Sequence, residues 1–235
     1  MGFFDFLGEI PPYSDSEKMV ERMNNRHRLL VDPLRGEIEG LRVLDLAAHD
    51  GRWSYALAEA GAAEVVGVEA RQELIDRFAL FPETEFKRRV DLRRGDIFEA
   101  LEGFVEDGEE FDVVAVFGIF YHIIEHFRLL KLIRALGATV VLVDSEFSTG
   151  KTPKIDLVFE RTDYTSNAAP QISGQDRAII GLPTRKAMNK MAEALGFDIV
   201  WAEADMVFRR DTPGVGDYFR GKTRKRAFCT LFNPS

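Results

Sequence analysis

The sequence predicts an α/β protein built on a doubly wound sheet, and three features predict it. Short β-branched runs alternate with stretches of helical periodicity. Several of those helical stretches close on a glycine, where a helix C-terminus favours a left-handed residue. The alternation stops after Asp144, as at the end of a series of β-α units. Because β-α-β crossovers are right-handed and bury their strands on both faces, such a series calls for helices on both sides of a parallel sheet.

Taken in order, residues 14–34 carry Met19, Val20, Met23 and Leu30 at helical spacing, with Ser14 or Ser16 as N-cap. Residues 1–40 therefore read as a helical extension ahead of a main domain, residues 41–235. The apolar start, Phe3, Phe4, Phe6 and Leu7, is expected to act as a dimer arm. Strands are expected at 41–46, 64–69, 89–93, 111–117 and 139–144, with helices at 52–60, 71–80, 97–105 and 125–136. Gly61 and Gly137 end two of these helices. Residues 146–182 mix Ser, Thr, Pro, Gly, Asp and aromatic residues without a long periodic segment, which marks a lid or binding insertion rather than an ordinary connection. A helix at 185–195, opened by Pro183-Thr184 and closed by Gly196, and strands at 197–204 and 226–232 complete the chain.

Composition limits the function. Hydrophobic residues are 46% and charged residues 30% of the 235, so a sizeable core is affordable and a disordered chain is excluded. The 31 Lys+Arg against 39 Asp+Glu give a net charge of −8, which disfavours a protein that coats nucleic acid or anionic membrane. One cysteine, Cys229, excludes an intrachain disulfide framework and suits a reducing compartment. No apolar run approaches the ~18 residues of a membrane span, and the first residues lack the basic segment of a signal peptide. The expected location is the cytoplasm.

The chemistry concentrates at strand ends, where open α/β sheets bind ligands. The first strand–helix turn places Asp45 before small residues, Gly51 and a helix. Glu69 ends the second strand, and a carboxylate there can accept from both vicinal hydroxyls of a ribose. Gly95-Asp96-Ile97 follows the third strand, where an Asp can accept from an exocyclic amine while the next N–H donates to a ring nitrogen. Together they describe an adenosine site, although Asp45 and Asp96 would equally serve as helix caps. Tyr121 and His122 follow the fourth strand; an imidazole there suits a general base as well as a structural role. His126 is spaced to share a helical face with His122, but no third ligand completes a metal pattern, and no metal is expected. Asp144 either faces the cleft or caps. Two basic runs stand out, Lys87-Arg88-Arg89 with Arg93-Arg94, and the cations from Arg209 to Arg226 around Tyr218 and Phe219. Each is a solvated face or a contact for an anionic partner.

On these residues the chain resembles the class I S-adenosylmethionine-dependent methyltransferases. Their acid-x-Gly-x-Gly-x-Gly loop aligns with Asp45, Ala47, His49 and Gly51, their acidic second strand end with Glu69, and their Gly-Asp-hydrophobic motif with Gly95-Asp96-Ile97. The resemblance implies a mostly parallel seven-stranded sheet with an antiparallel last strand and an insertion after strand five, residues 146–182. It implies S-adenosyl-L-methionine bound by Asp45, Ala47, His49, Gly51, Glu69, Ala70, Asp96, Ile97, Phe117 and Gly118, with Tyr121 and His122 at the methyl. Where the family has glycine, Ala47 and His49 leave the loop either an ordinary backbone shape or weaker binding. The Tyr-His pair and the Pro-Thr helix start before Gly196-Phe197 are also loosely similar to the branch that modifies wobble uridine in tRNA. The implied activity is methyl transfer to a small-molecule acceptor of anionic character. A tRNA acceptor and a non-catalytic nucleotide-binding module of the same fold stay open as alternatives. A nicotinamide oxidoreductase would want Gly-x-Gly-x-x-Gly, of which the turn offers only Gly51.

Overall fold

A computed structural model describes residues 2–164, 167–170 and 172–234. The strands are β1 (Arg42–Leu46), β2 (Glu64–Glu69), β3 (Val90–Arg94), β4 (Val113–Phe117), β5 (Val140–Ser148), β6 (Ile155–Arg161), β7 (Arg177–Pro183), β8 (Asp198–Trp201) and β9 (Arg224–Phe232). The α-helices are α1 (Glu17–Leu30), α2 (Arg35–Ile38), α3 (Arg52–Glu59), α4 (Gln72–Ile75), α5 (Ile97–Glu106), α6 (His126–Ala135) and α7 (Arg185–Ala194). Seven strands form one sheet in the order β3-β2-β1-β4-β5-β9-β8. β1 to β5 are parallel, and β9 runs antiparallel between β5 and β8. This is the doubly wound, mostly parallel sheet expected.

Strand alternation feeds two separate cores. Val43, Val65 and Val113 point into a cluster with Trp53 and Leu57 of α3 and Leu29 and Leu30 of α1. Their neighbours Leu44, Val66 and Val114 enter a second cluster with Leu101 of α5, Leu129 of α6 and Met188 of α7. Both faces of the sheet are thus covered, and the strand ends are left for a ligand.

Several expectations change. The helix expected at 71–80 is only the short α4, followed by a 3-10 turn at Asp76–Leu80. β5 runs on to Ser148 because β9, which starts earlier than expected, pairs with it along its whole length, from Val140↔Phe232 to Ser148↔Arg224. β3 is shifted one residue along, and β8 covers only part of 197–204. Residues 146–182 are no structureless lid: β6 and β7 form an antiparallel hairpin within them. Ser16 sits at the N-cap of α1 without a side-chain capping bond. The dimer arm is also corrected, because the apolar start folds onto its own chain. Phe4 and Leu7 are fully buried. Phe3 stacks on His27, Phe4 meets Trp53 edge-on at 5.4 Å, and Phe6 packs against Phe81.

Candidate functional site

Beyond the carboxyl ends of β1 to β4 lie two adjoining cavities, of about 490 and 210 Å³. The larger is bordered by Ala70, Asp96 and Ile97, the smaller by His49, Phe117, Gly118 and Tyr121; Ala47, Glu69 and His122 border both. Of the residues expected to bind or act, only Asp45 and Gly51 border neither.

The turn after β1 takes the shape that glycines would give it. Ala47 and His49 both have φ 57°, and Gly51 has φ 78°. Of the two alternatives, an ordinary backbone shape or weaker binding, the first is excluded. Ala48 N donates to Val68 O at 2.9 Å and His49 N to Glu69 Oε2 at 3.0 Å, so β2 holds the turn in its left-handed form. At Gly51 a side chain is excluded on space as well, since a Cβ would lie 2.6 Å from Phe78 Cδ2 and 2.8 Å from Leu92 Cδ1.

Each acid ends differently. Glu69 is buried and anchored by the backbone: Oε2 accepts from His49 N and Oε1 from Arg71 N, both at 3.0 Å. Each oxygen keeps a second lone pair for a hydroxyl donor. Asp96 caps α5, with Oδ1 accepting from Phe98 N and Glu99 N at 2.8 and 3.2 Å, and still borders the larger cavity. Capping and cavity positions coexist. Asp45 corrects the expectation of a ligand contact. It is buried beneath the turn and accepts from Ser54 Oγ at 2.7 Å, and burial pushes its carboxyl up to about 7.

Comparison with known proteins agrees with this arrangement. Residues 43–144 match a family model described as a methyltransferase domain. Over that stretch, less than half of the chain, the core resembles a methyltransferase domain. The N-terminal domain of EvdMO1, crystallised with S-adenosylhomocysteine, superposes at TM-score 0.65 and 18% identity, covering 89% of this chain and 80% of that one. Magnesium protoporphyrin IX methyltransferase from Synechocystis PCC 6803, with bound S-adenosylmethionine, gives 0.56 and 14%, covering 97% and 90%. At those identities the likeness is one of fold. A 78-residue stretch, 32% of this chain, is 40% identical to a Methanocaldococcus jannaschii protein named "putative ribosomal RNA large subunit methyltransferase". The chain spans 20% of that relative's length.

The structure adds four residues that sequence reasoning missed, Arg26, Arg52, Arg71 and Glu160, and draws in Arg226 from the second basic run. The four arginines border the smaller cavity. Arg26, from α1, forms a buried ion pair with Asp144 and lies 4.9 Å from the Trp53 ring. Arg226, from β9, donates to Asp144 at 2.8 Å, Asp217 at 3.0 Å and Tyr121 Oη at 3.3 Å, while Tyr218 Oη donates to Asp144 at 2.6 Å. Burial alone would raise the Asp144 carboxyl, but Arg26 and Arg226 outweigh it and hold it below the ordinary range. Asp144 thus neither lines the cleft nor caps a helix. The Nε groups of Arg26 and Arg52 are buried without a partner among the described residues, and burial pushes Arg52 down to about 10.

His122 closes the other end. Its Nδ1 lies 2.6 Å from Glu160 Oε2, which also accepts from Ala168 N at 2.8 Å. Burial would raise Glu160, and these two contacts bring it below its ordinary value. His126 does not share a face with His122. His122 belongs to a 3-10 turn, His126 opens α6, and His126 Nε2 lies 3.2 Å from Gly181 O. Trp53 is a wall residue, edge-on to Phe117 at 5.5 Å. The first basic run is consumed locally: Lys87 meets Glu83, Arg88 meets Glu85, Arg93 meets Asp91, and Arg89 donates to Ala62 O. Arg26 had a signal, since Met23, Arg26 and Leu30 share one helical face. Glu160 had none, because its partner is far away in sequence.

Proposed function

We propose that the protein transfers the methyl group of S-adenosyl-L-methionine to a small anionic acceptor. The observation that carries this reading is Glu69. It is a backbone-anchored carboxylate at the junction of one cavity sized for a nucleoside and another that ends on His122. The chain offers matching groups. Ala70, Asp96 and Ile97 border the space for adenine, Glu69 accepts from the ribose hydroxyls, and the unpartnered Nε of Arg52 awaits a carboxylate. Asp45 supports the turn from below and makes no direct contact.

When bound, the donor supplies a methyl group already electrophilic on its sulfonium. The protein's task is then to bring the acceptor into line and exclude water. Tyr121, Phe117 and Gly118 shape the wall there. Glu160 orients His122 through Nδ1, leaving Nε2 to take the acceptor's proton as the new bond forms. The unpartnered Nε of Arg26, beside the same cavity, favours an acceptor bearing negative charge.

An RNA acceptor, which the name of the M. jannaschii relative would suggest, has less support here. The net charge is −8, and Lys87, Arg88 and Arg93 of the first basic run pair with neighbouring acids. A cytoplasmic location belongs to the same proposal, supported by the lone buried thiol of Cys229. Among the described residues no helix is long and apolar enough to cross a membrane.

Calorimetric titration with S-adenosyl-L-methionine tests the reading. Glu69→Ala, which removes hydrogen bonds to a charged acceptor, should weaken binding at least about tenfold. An affinity within twofold of the parent would remove the ribose role, and no heat from the parent at millimolar donor would overturn the activity.

A further inference from the structure

A third cavity, about 430 Å³, lies at the β5-β9-β8 edge of the sheet, away from the residues assigned to the donor. Six cations border it: Lys151 after β5, Arg185 and Lys186 opening α7, Arg210, and Lys225 and Arg226 at the start of β9. They come from four separate segments of the chain. Two acids, Glu203 and Asp205, border it as well. Arg226 is spent on Asp144 and Asp217, and Arg185 lies 3.6 Å from Glu203. The other four cations, Lys151, Lys186, Arg210 and Lys225, form no ion pair among the described residues, and only Asp205 remains to oppose them.

On a chain with eight more acids than bases, this convergence is not a background effect. Two of these cations open α7. Its first turn holds Arg185 and Lys186 and no acid, so two positive charges stand where the helix dipole already disfavours them. That placement is unfavourable for the helix alone. It becomes favourable when an anion occupies the space in front, because dipole and side chains then act together. Phe147, Tyr218 and Phe219 supply an apolar wall.

We propose that this pocket is a binding site for a small polyanion, a molecule carrying a diphosphate or a pair of carboxylates. The cations border a single concavity and do not form a stripe along a surface, which fits a compact ligand better than a nucleic-acid backbone. Arg226 borders both this pocket and the smaller cavity, so the ligand sits on the far side of that guanidinium from His122.

Titration of the full chain with inorganic pyrophosphate tests this. Binding should weaken with added salt and fall at least about tenfold in Lys186→Glu/Lys225→Glu. Both side chains are exposed, so the fold should hold, and unchanged affinity for S-adenosyl-L-methionine in the double variant would verify that. No pyrophosphate binding at millimolar concentration, or equal binding by the double variant, overturns the site. A mixed-sequence single-stranded RNA that binds more tightly than pyrophosphate, and is weakened by the same variant, also overturns it. Pyrophosphate binding without any heat from the donor would sink the methyltransferase reading and leave this one standing.

Discussion

Ala47 and His49 occupy a backbone region that costs a residue with a side chain about 1–2 kcal/mol, and they do so in a turn fixed by β2. Ala47→Gly relieves that cost but adds about 0.5–1 kcal/mol of unfolded-chain freedom. The net expectation is a gain of about 0.5–1 kcal/mol in urea unfolding; a loss would mean that the Ala47 methyl contributes contacts outweighing the strain. Asp45 predicts a pH effect. Its carboxyl titrates at about 7 in the folded chain against 3.8 ordinarily, so between those values the folded state holds the proton more tightly. Stability therefore falls as pH rises through that window. Asp45→Asn cannot ionise, and its stability relative to the parent should rise from about pH 4 to about pH 8 by on the order of 4 kcal/mol. A flat difference would show that Asp45 is not the group responsible. At this scale the places of Glu69 and Asp96 beside the cavity were legible because one ends and the other follows a strand at the carboxyl edge of the sheet, where such folds leave space for a ligand. Asp45 was misread, since an acid at a strand end can point down into the helix as readily as out into the cleft.

The β6–β7 hairpin contributes Glu160 to His122, and this makes the insertion a part of the site. Glu160→Gln keeps the shape but loses the charge that orients and supports a protonated imidazole. Methyl transfer should slow by about tenfold to a hundredfold while donor affinity stays the same. The pH profile of turnover should shift as well. A uniform loss of donor binding would instead make Glu160 a purely structural tie. The hairpin escaped sequence reading for a physical reason. Ile155-Asp156-Leu157-Val158-Phe159-Glu160 alternates except at Val158, but Leu157 and Phe159 face out at 62% and 60% exposure, with Asp156 and Glu160 on the opposite face of the strand. Such a strand adds nothing to a hydrophobic core, and its surroundings are rich in turn residues. The parallel strands β1, β2, β4 and β5 were legible because they are buried on both faces. The stretch at 71–80 shows the opposite failure, since a helical apolar pattern gave way to a 3-10 turn after Ile75.

At the scale of the whole molecule, Asp144 joins segments that the sequence shows as unrelated. Arg26 comes from the N-terminal extension, Arg226 from the last strand and Tyr218 from the turn before it, and all three meet on one fully buried carboxylate. The extension also fills the core, with Phe4 and Leu7 packed in the same cluster as Trp53. Residues 1–40 are therefore built into the domain that they precede. Removing the carboxylate leaves two buried guanidiniums facing each other, so Asp144→Asn should cost about 3–5 kcal/mol in urea unfolding near neutral pH. The pH dependence has a definite sign. Because the folded-state value lies below the ordinary 3.8, the contribution of Asp144 is present above that value and is lost as pH falls through the lowered one. The variant should accordingly show a flatter acid limb than the parent. Arg26→Met in the Asp144→Asn background removes the guanidinium left without an ion pair, since Arg226 keeps Asp217, and should recover part of the loss. If the double variant were no more stable than the single one, the cost would arise from packing at β5 and not from the uncompensated Arg26.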